Sequence, residues 1–189
     1  MDKSLIKLSK FLSLVLRHRP QRIGITLDGA GWANVEELIV AANKAGVALT
    51  KEKLEFIIEH DKKKRYAFFL DGKFICANQG HSIDVDLGLK AMIPPEILYH
   101  GTAEHFLFGI RQKGLQRKRR QYVHLSSDEE TAITVGQRHG EPVVLLIQAK
   151  EMHADGYKFY LSENGVWLTE EVPVSYLIFP NHSLVSTSS

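Results

Sequence analysis

The sequence predicts an α+β fold laid out as two lobes, on three observations. The first eighty residues read as three amphipathic helices followed by a strand hairpin. The segment 83–95 changes character and ends in Pro94-Pro95, and the remainder is a succession of short aromatic and β-branched runs. The expected organisation is a lobe over 1–82, a linker over 83–95 and a lobe over 96–189.

In the first lobe, Leu5, Leu8, Phe11, Leu12, Val15 and Leu16 recur at three- and four-residue steps, which predicts a helix over roughly 4–18 that Pro20 stops. "ITLDGAGWANVEELIVAANKAG" predicts a short strand, a Gly-rich turn and a second helix entered near Asn34, with Val35, Leu38, Ile39 and Ala42 on one face and Gly46 at its end. Thr50 is a good N-cap for a third helix carrying Leu54, Ile57 and Ile58. "RYAFFLDGKFICA" sets two strand-like runs around Asp71-Gly72, a dipeptide that favours a tight hairpin. Three helices and a hairpin make a winged-helix plan.

The second lobe holds the strand-like runs "EILYHG", "YVHLS", "PVVLLIQA", "YKFYLS", "GVWLT" and "YLIF", with helical stretches near 103–113 and 128–138. It reads as a compact, strand-rich α+β unit. The tail "NHSLVSTSS" is expected to fray.

The chain has 189 residues, 44% of them apolar, enough for a packed core rather than disorder. A formal charge of +2 implies no partner by itself; basic residues nevertheless cluster at 17–23, 62–65 and 111–120. A lone Cys76 excludes an intrachain disulfide and fits a cytoplasmic setting. No apolar run approaches the ~18 residues of a spanning helix, and no signal peptide is apparent. Nine histidines form neither HExxH nor paired CxxC patterns, so no metal is expected.

"LVLRHRPQ" places Arg17, His18 and Arg19 in the last turn of the first helix. Cations there interact favourably with the helix dipole, so the cluster either caps the helix or binds a ligand. "DKKKRY" places Arg65 at the foot of the wing strand, able to point inward while Lys62, Lys63 and Lys64 stay near solvent. In "ANQGHS", Gln79, His81 and Ser82 around Gly80 either bind RNA sugars and phosphates or satisfy an irregular backbone. "YHGT" offers the His100 imidazole, the Thr102 hydroxyl and, at Gly101, a backbone that a ligand can approach closely. "YVHLS" places His124 and Ser126 on one strand face. Arg138 ends a helix. The loop "LQRKRRQ", with Arg117 and Arg119, reads either as a track for an RNA backbone or as a solubilising turn.

Taken in order, "LSKFLSLVLRH", "DKKKR", "ANQGHS", "YHGT", "YVHLS", a lone arginine before "PVVLLI", and "NGVWLT" resemble the RNA 2'-phosphotransferases, over about residues 8–179. The resemblance implies a winged-helix lobe joined to a C-terminal lobe like that of ADP-ribosyltransferases. It implies an essential tetrad of Arg17, His18, Arg65 and Arg138, with NAD as co-substrate held by His100, Gly101, Thr102, His124, Ser126 and Val166. RNA would be bound by Lys63, Gln79, His81, Ser82, Arg117 and Arg119. Val166 stands where related ADP-ribosyltransferases often carry a glutamate, which disfavours transfer to protein.

The implied reaction removes an internal RNA 2'-phosphate in two steps. The phosphate first displaces nicotinamide from NAD to give an RNA phospho-ADP-ribose intermediate. The ribose 2''-hydroxyl then attacks phosphorus, releasing 2'-hydroxyl RNA and ADP-ribose 1'',2''-cyclic phosphate. Arginine forks suit the charge that develops on the phosphoryl oxygens. A tRNA-like substrate and a monomeric enzyme are expected. Two other readings remain: a non-enzymatic winged-helix regulator that binds nucleic acid, and an ADP-ribosyltransferase acting on protein or nucleic-acid ends.

Overall fold

The computed structural model describes residues 3–180, so the expectation for the C-terminal tail lies outside the described residues. The chain forms two compact units. The first comprises residues 1–90 together with two short returns from later in the chain, Lys118–Gln121 and Ser162–Asn164. The second comprises Ala91–Arg117, Tyr122–Leu161 and the stretch from Gly165.

The first unit opens with α1 (Lys3–Arg17), which buries Leu8, Leu12, Val15 and Leu16 on the face that the sequence period marks. A single 3-10 turn at Pro20–Arg22 follows. The expected strand in "ITL" does not form. The Asp28 carboxylate instead accepts the amides of Ala30 and Trp32, both at 2.9 Å, and folds the chain into a side-chain-capped turn. Strand pairing starts afterwards, at β1 (Ala33–Asn34).

The Asn34 side chain then caps α2 (Val35–Lys44) by accepting from the Glu37 amide at 3.1 Å. Thr50 does the same for α3 (Lys51–Glu59), accepting from Lys53 at 3.3 Å. The hairpin consists of β2 (Tyr66–Phe69) and β3 (Phe74–Ala77), with Leu70, Asp71 and Gly72 all at positive φ in its turn. The three strands form one antiparallel sheet in the order β1-β3-β2. Leu12, Leu16, Leu38, Leu54, Ile57 and Ile75 make the core.

The second unit is built on β4 (Ile97–Ala103), α4 (Leu107–Lys113), β5 (Leu115–Gln116), β6 (Val123–Leu125) and α5 (Glu129–Gly136), then β7 (Pro142–Gln148), α6 (Ala149–Ala154), β8 (Tyr160–Leu161), β9 (Trp167–Thr169), β10 (Glu171–Val172) and β11 (Leu177–Ile178). Two three-stranded antiparallel sheets, β11-β7-β4 and β6-β9-β8, accompany a two-stranded ladder of β5 and β10. Paired amides of Tyr99 and Ser126 bridge β4 to the end of β6, at 2.9 and 2.8 Å. The core is separate from the first, centred on Leu98, Leu125, Leu145, Ile147, Met152 and Phe159. The protein is thus a mixed α+β structure of small antiparallel sheets and short helices. Among the described residues no helix is long and apolar enough to cross a membrane.

Candidate active site

In the first unit, "ANQGHS" stitches the end of α1 to the "DKKKR" turn. α1 stops as the amides of His18 and Arg19 both turn back to the Leu14 carbonyl, at 3.1 and 2.8 Å. The Arg17 carbonyl, one of those a helix end leaves without an internal partner, accepts from the Ser82 amide at 2.9 Å. Ser82 Oγ also shares a 2.9 Å hydrogen bond with His18 Nδ1. Four residues earlier, the Asn78 amide donates to the Arg65 carbonyl at 2.8 Å and its side chain donates to the Lys64 carbonyl at 2.6 Å. Gly80 lies between these anchors at φ +90, and a Cβ there would sit 3.5 Å from Arg17 Nη1. Glycine is suited to it because the left-handed backbone would strain any other residue.

Asp61, 6% exposed, organises the other side. Its carboxylate accepts from the Lys63 amide at 3.1 Å, the Arg65 amide at 2.7 Å and Arg65 Nη1 at 2.5 Å. The Asn164 side chain, part of the 162–164 return, donates to the Lys63 carbonyl at 3.1 Å. Tyr66 follows: its hydroxyl donates to the Ser9 carbonyl and accepts from Ser13, both at 2.7 Å. Its ring centroid lies 6.0 Å from the Arg17 guanidinium carbon, within cation–π range.

The electrostatics follow from this gathering of cations. Burial pushes the Arg17 guanidinium below its ordinary value, and Arg65 and Arg120 add to the shift while Tyr66 and Asp61 oppose it. Burial, then Arg17, Arg120 and Arg19, lower His18. Burial, then Arg17 and His18, push His81 down to about 4, and it is only 1% exposed. Arg17 Nε and Nη2, both His81 ring nitrogens and Gln79 Oε1 are buried with no partner. Buried donors are almost always paired, so two orphaned guanidinium nitrogens among further cations define a place for an anion.

The structure therefore brings Arg17, His18, Arg65, Gln79, His81 and Ser82 into one unit, with Lys63 and Arg119 exposed on it. Arg117 belongs to the second unit. Sequence reasoning missed Asp61, Asn78 and Arg120. Asp61 is visible in retrospect as an acid four residues before an arginine at a helix exit.

In the second unit, "YHGT" lies within β4. His100 Nδ1 donates to the His124 carbonyl at 2.9 Å, so the neutral ring carries its acceptor lone pair on Nε2. Gly101 is glycine for packing: a Cβ there would lie 1.7 Å from the Ala132 carbonyl oxygen of α5. Side chains alternate along a strand, so His100 and Thr102 lie on the face opposite that helix. Thr102 is buried and pairs with Val143 of β7. Ser126 holds Tyr99 through the bridge described above. Arg138 is exposed just past the end of α5, its amide on the Val135 carbonyl at 3.2 Å. Val166 immediately precedes β9. Among the described residues no group of three or more His, Cys, Asp or Glu could hold a metal ion.

Comparison with known proteins agrees over nearly the whole chain. Residues 3–171 match the model of the RNA 2'-phosphotransferase, Tpt1 / KptA family. A probable RNA 2'-phosphotransferase of Acaryochloris marina is 52% identical over 178 residues, 94% of this chain and 98% of that protein. Proteins of the same description from Pectobacterium carotovorum and Rhodopirellula baltica are 54% and 53% identical over 170 and 180 residues. These cover 89% and 95% of this chain, and 91% and 98% of the relatives.

Proposed function

Because the chain belongs to the RNA 2'-phosphotransferase family, a family of transferases acting on RNA, we propose that it transfers an internal RNA 2'-phosphate to NAD. The observation that carries this is Arg17, whose buried Nε and Nη2 lack any acceptor while His18, Arg65 and Arg120 crowd the same end of α1. A dianionic phosphate supplies the acceptors, and charge-assisted bonds to planar guanidinium forks bind it strongly.

The first unit would serve as the winged-helix, RNA-binding lobe, with Lys63, Gln79, His81, Ser82 and Arg119 as further RNA contacts, and Arg117 of the second unit would be another. The second would be the lobe like that of ADP-ribosyltransferases. The donor set of its central strands fits NAD: the tautomer of His100 fixed by the His124 carbonyl suits a ribose hydroxyl. Ser126 offers a second polar group and Val166 an apolar one for the nicotinamide, while Gly101 and Thr102 shape β4.

A phosphate oxygen attacks C1'' of the nicotinamide ribose, and the C–N bond breaks with its electron pair leaving on nicotinamide. The nucleophile is already anionic, so no general base is needed. The ribose 2''-hydroxyl then attacks phosphorus, its proton is lost, and the RNA 2'-oxygen leaves and takes up a proton. Here negative charge grows on the phosphoryl oxygens, where Arg17, Arg65 and Arg138 stabilise it and His18 donates a hydrogen bond or carries a proton. The enzyme is expected to act as a cytoplasmic monomer, without a metal ion, on tRNA-like RNA.

The test is to incubate the protein with NAD, EDTA and a short RNA bearing one internal 2'-phosphate. Loss of the phosphate, with release of nicotinamide and ADP-ribose cyclic phosphate, is the expected result. Persistence of the 2'-phosphate, or transfer of ADP-ribose to protein, would contradict it.

A further inference from the structure

The turn that carries Arg65 is held in a conformation that its sequence does not favour. Lys64 sits at φ +41, in the left-handed region, where a Cβ is crowded and glycine is at ease. Its side chain is exposed, so packing around the lysine does not account for the strain. A strained backbone persists where its surroundings over-determine it, and such positions cluster at functional sites.

Here the surroundings are hydrogen bonds. The Lys63 carbonyl accepts from the Asn164 side chain at 3.1 Å, the Lys64 carbonyl from Asn78 Nδ2 at 2.6 Å and the Arg65 carbonyl from the Asn78 amide at 2.8 Å. On the opposite edge, the Lys64 amide donates to the Asp61 carbonyl at 2.8 Å. Asn78 alone grips two successive carbonyls, one on each side of the Lys64–Arg65 boundary. It can do so because Tyr66 pairs with Ala77 in the hairpin, which sets Asn78, the residue after β3, beside Arg65, the residue before β2.

We infer that Asn78 is a positioning residue for Arg65: by holding the Lys64 peptide in its left-handed turn, it sets the direction in which the guanidinium leaves the backbone. The inference rests on the 2'-phosphate reading above, in which Arg65 stabilises charge on the phosphoryl oxygens during the second step. Without the Asn78 side chain, Lys64 relaxes toward ordinary backbone angles, and the Arg65 Cα–Cβ bond swings with it. Asn78 touches no reacting group; it acts through the arginine.

The experiment is a double-mutant cycle on the full chain, read in single-turnover reactions with NAD and 5'-labelled RNA bearing one internal 2'-phosphate. Asn78→Ala should slow the second step about tenfold, as a small displacement of a catalytic group does, and leave the first step and the RNA KM near their wild-type values. In an Arg65→Ala background the same change should have no further effect, because the group it aims is gone. Lys64→Gly alone should keep the wild-type rate, since glycine adopts the left-handed turn without strain. Combined with Asn78→Ala, it should recover much of the lost rate. Hydrogen exchange at the Arg65 amide, which ends on Asp61, reads the turn without the reaction; Asn78→Ala should quicken it about tenfold, and Lys64→Gly should reverse that.

The inference is overturned if Asn78→Ala keeps the wild-type rate, or if it slows Arg65→Ala by a further tenfold, which would give Asn78 a contact of its own. A loss that Lys64→Gly does not relieve, or an unchanged Arg65 exchange rate in Asn78→Ala, would overturn it equally. A wild-type protein that leaves the 2'-phosphate in place would count against the functional reading, while the exchange measurements would still support or refute the hold on the turn.

Discussion

One carboxylate oxygen of Asp61 accepts from Arg65 Nη1 at 2.5 Å while the other accepts from the Arg65 amide at 2.7 Å. A single buried acid thus fixes both the backbone and the fork of the arginine. The pairing occupies one of the five guanidinium donors and leaves the side chain about one-third exposed, at 32%.

Asp61→Asn should therefore act on Arg65 rather than on chemistry directly. The amide keeps one acceptor and presents N–H groups to donors, so about 2–3 kcal/mol of stability should be lost. The rate on 2'-phosphorylated RNA should fall on the order of tenfold or more, as misplacement of a catalytic group does. Urea unfolding and single-turnover assays check the two effects, and an unchanged rate would dismiss the positioning role.

Gly101 faces α5 so closely that a Cβ would lie 1.7 Å from one backbone oxygen, and one at Gly136 would lie 2.6 Å from the Thr102 oxygen. Gly101→Ala should cost about 3 kcal/mol and lower the melting temperature by roughly 10 °C. Gly109→Ala, in α4 with nothing within 4 Å, should be neutral or stabilising by about 0.5–1 kcal/mol. Thermal unfolding of the two variants decides it; equal behaviour would refute the packing account.

His81 is buried and its value lies near 4 rather than 6.5. The unfolded chain binds the proton more readily, so stability is full above pH 6.5 and is lost as pH falls toward 4. About 3 kcal/mol should disappear across that window. His81→Leu should flatten this part of the profile, measured as the difference from the wild type in urea midpoints at pH 7.5, 6 and 4.5. Parallel profiles would show that His81 does not titrate in this way.

In the first step of the proposed reaction the phosphate oxygens would lose negative charge; in the second they would gain it. Arg65→Ala and Arg138→Ala should therefore slow the second step by ~10²–10³, more than the first, and let RNA phospho-ADP-ribose accumulate. Arg17→Ala, at the buried anchor, should slow both. A single-turnover time course with 5'-labelled RNA separates the three species, and equal losses in both steps with no intermediate would exclude the division.

Local chemistry makes much of the fold legible in the sequence. Asn34 and Thr50 cap the helices that the sequence assigns to them, and Asp71-Gly72 turns the hairpin, because each effect spans four residues or fewer. The strand expected at "ITL" does not form, whereas the turn after it does, closed by the Asp28 carboxylate on the amides of Ala30 and Trp32; hydrophobic pattern records apolar residues but not whether a partner strand lies beside them. Helix α6 escapes notice because it follows β7 with no turn residue between them. The order of motifs singles out Arg17, His18 and Arg65, which the fold brings into one unit. Their fixings do not show: Gln121 reaches Val85 across 36 positions and Asn164 reaches Lys63 across 101. No local signal marks such bonds.

That last bond sets an order of events during synthesis. The Asn164 side chain completes the turn that carries Arg65, yet it leaves the ribosome a hundred residues later. At about 5–20 residues per second, the helices and sheet of the first unit are translated well before their final clasp exists. Until then the bond from Asn164 to the Lys63 carbonyl is absent, although the basic return carrying Arg120 has already been made. A nascent chain paused near residue 90 would hold the helices and sheet of the first unit before either later return, Lys118–Gln121 or Ser162–Asn164, has been made.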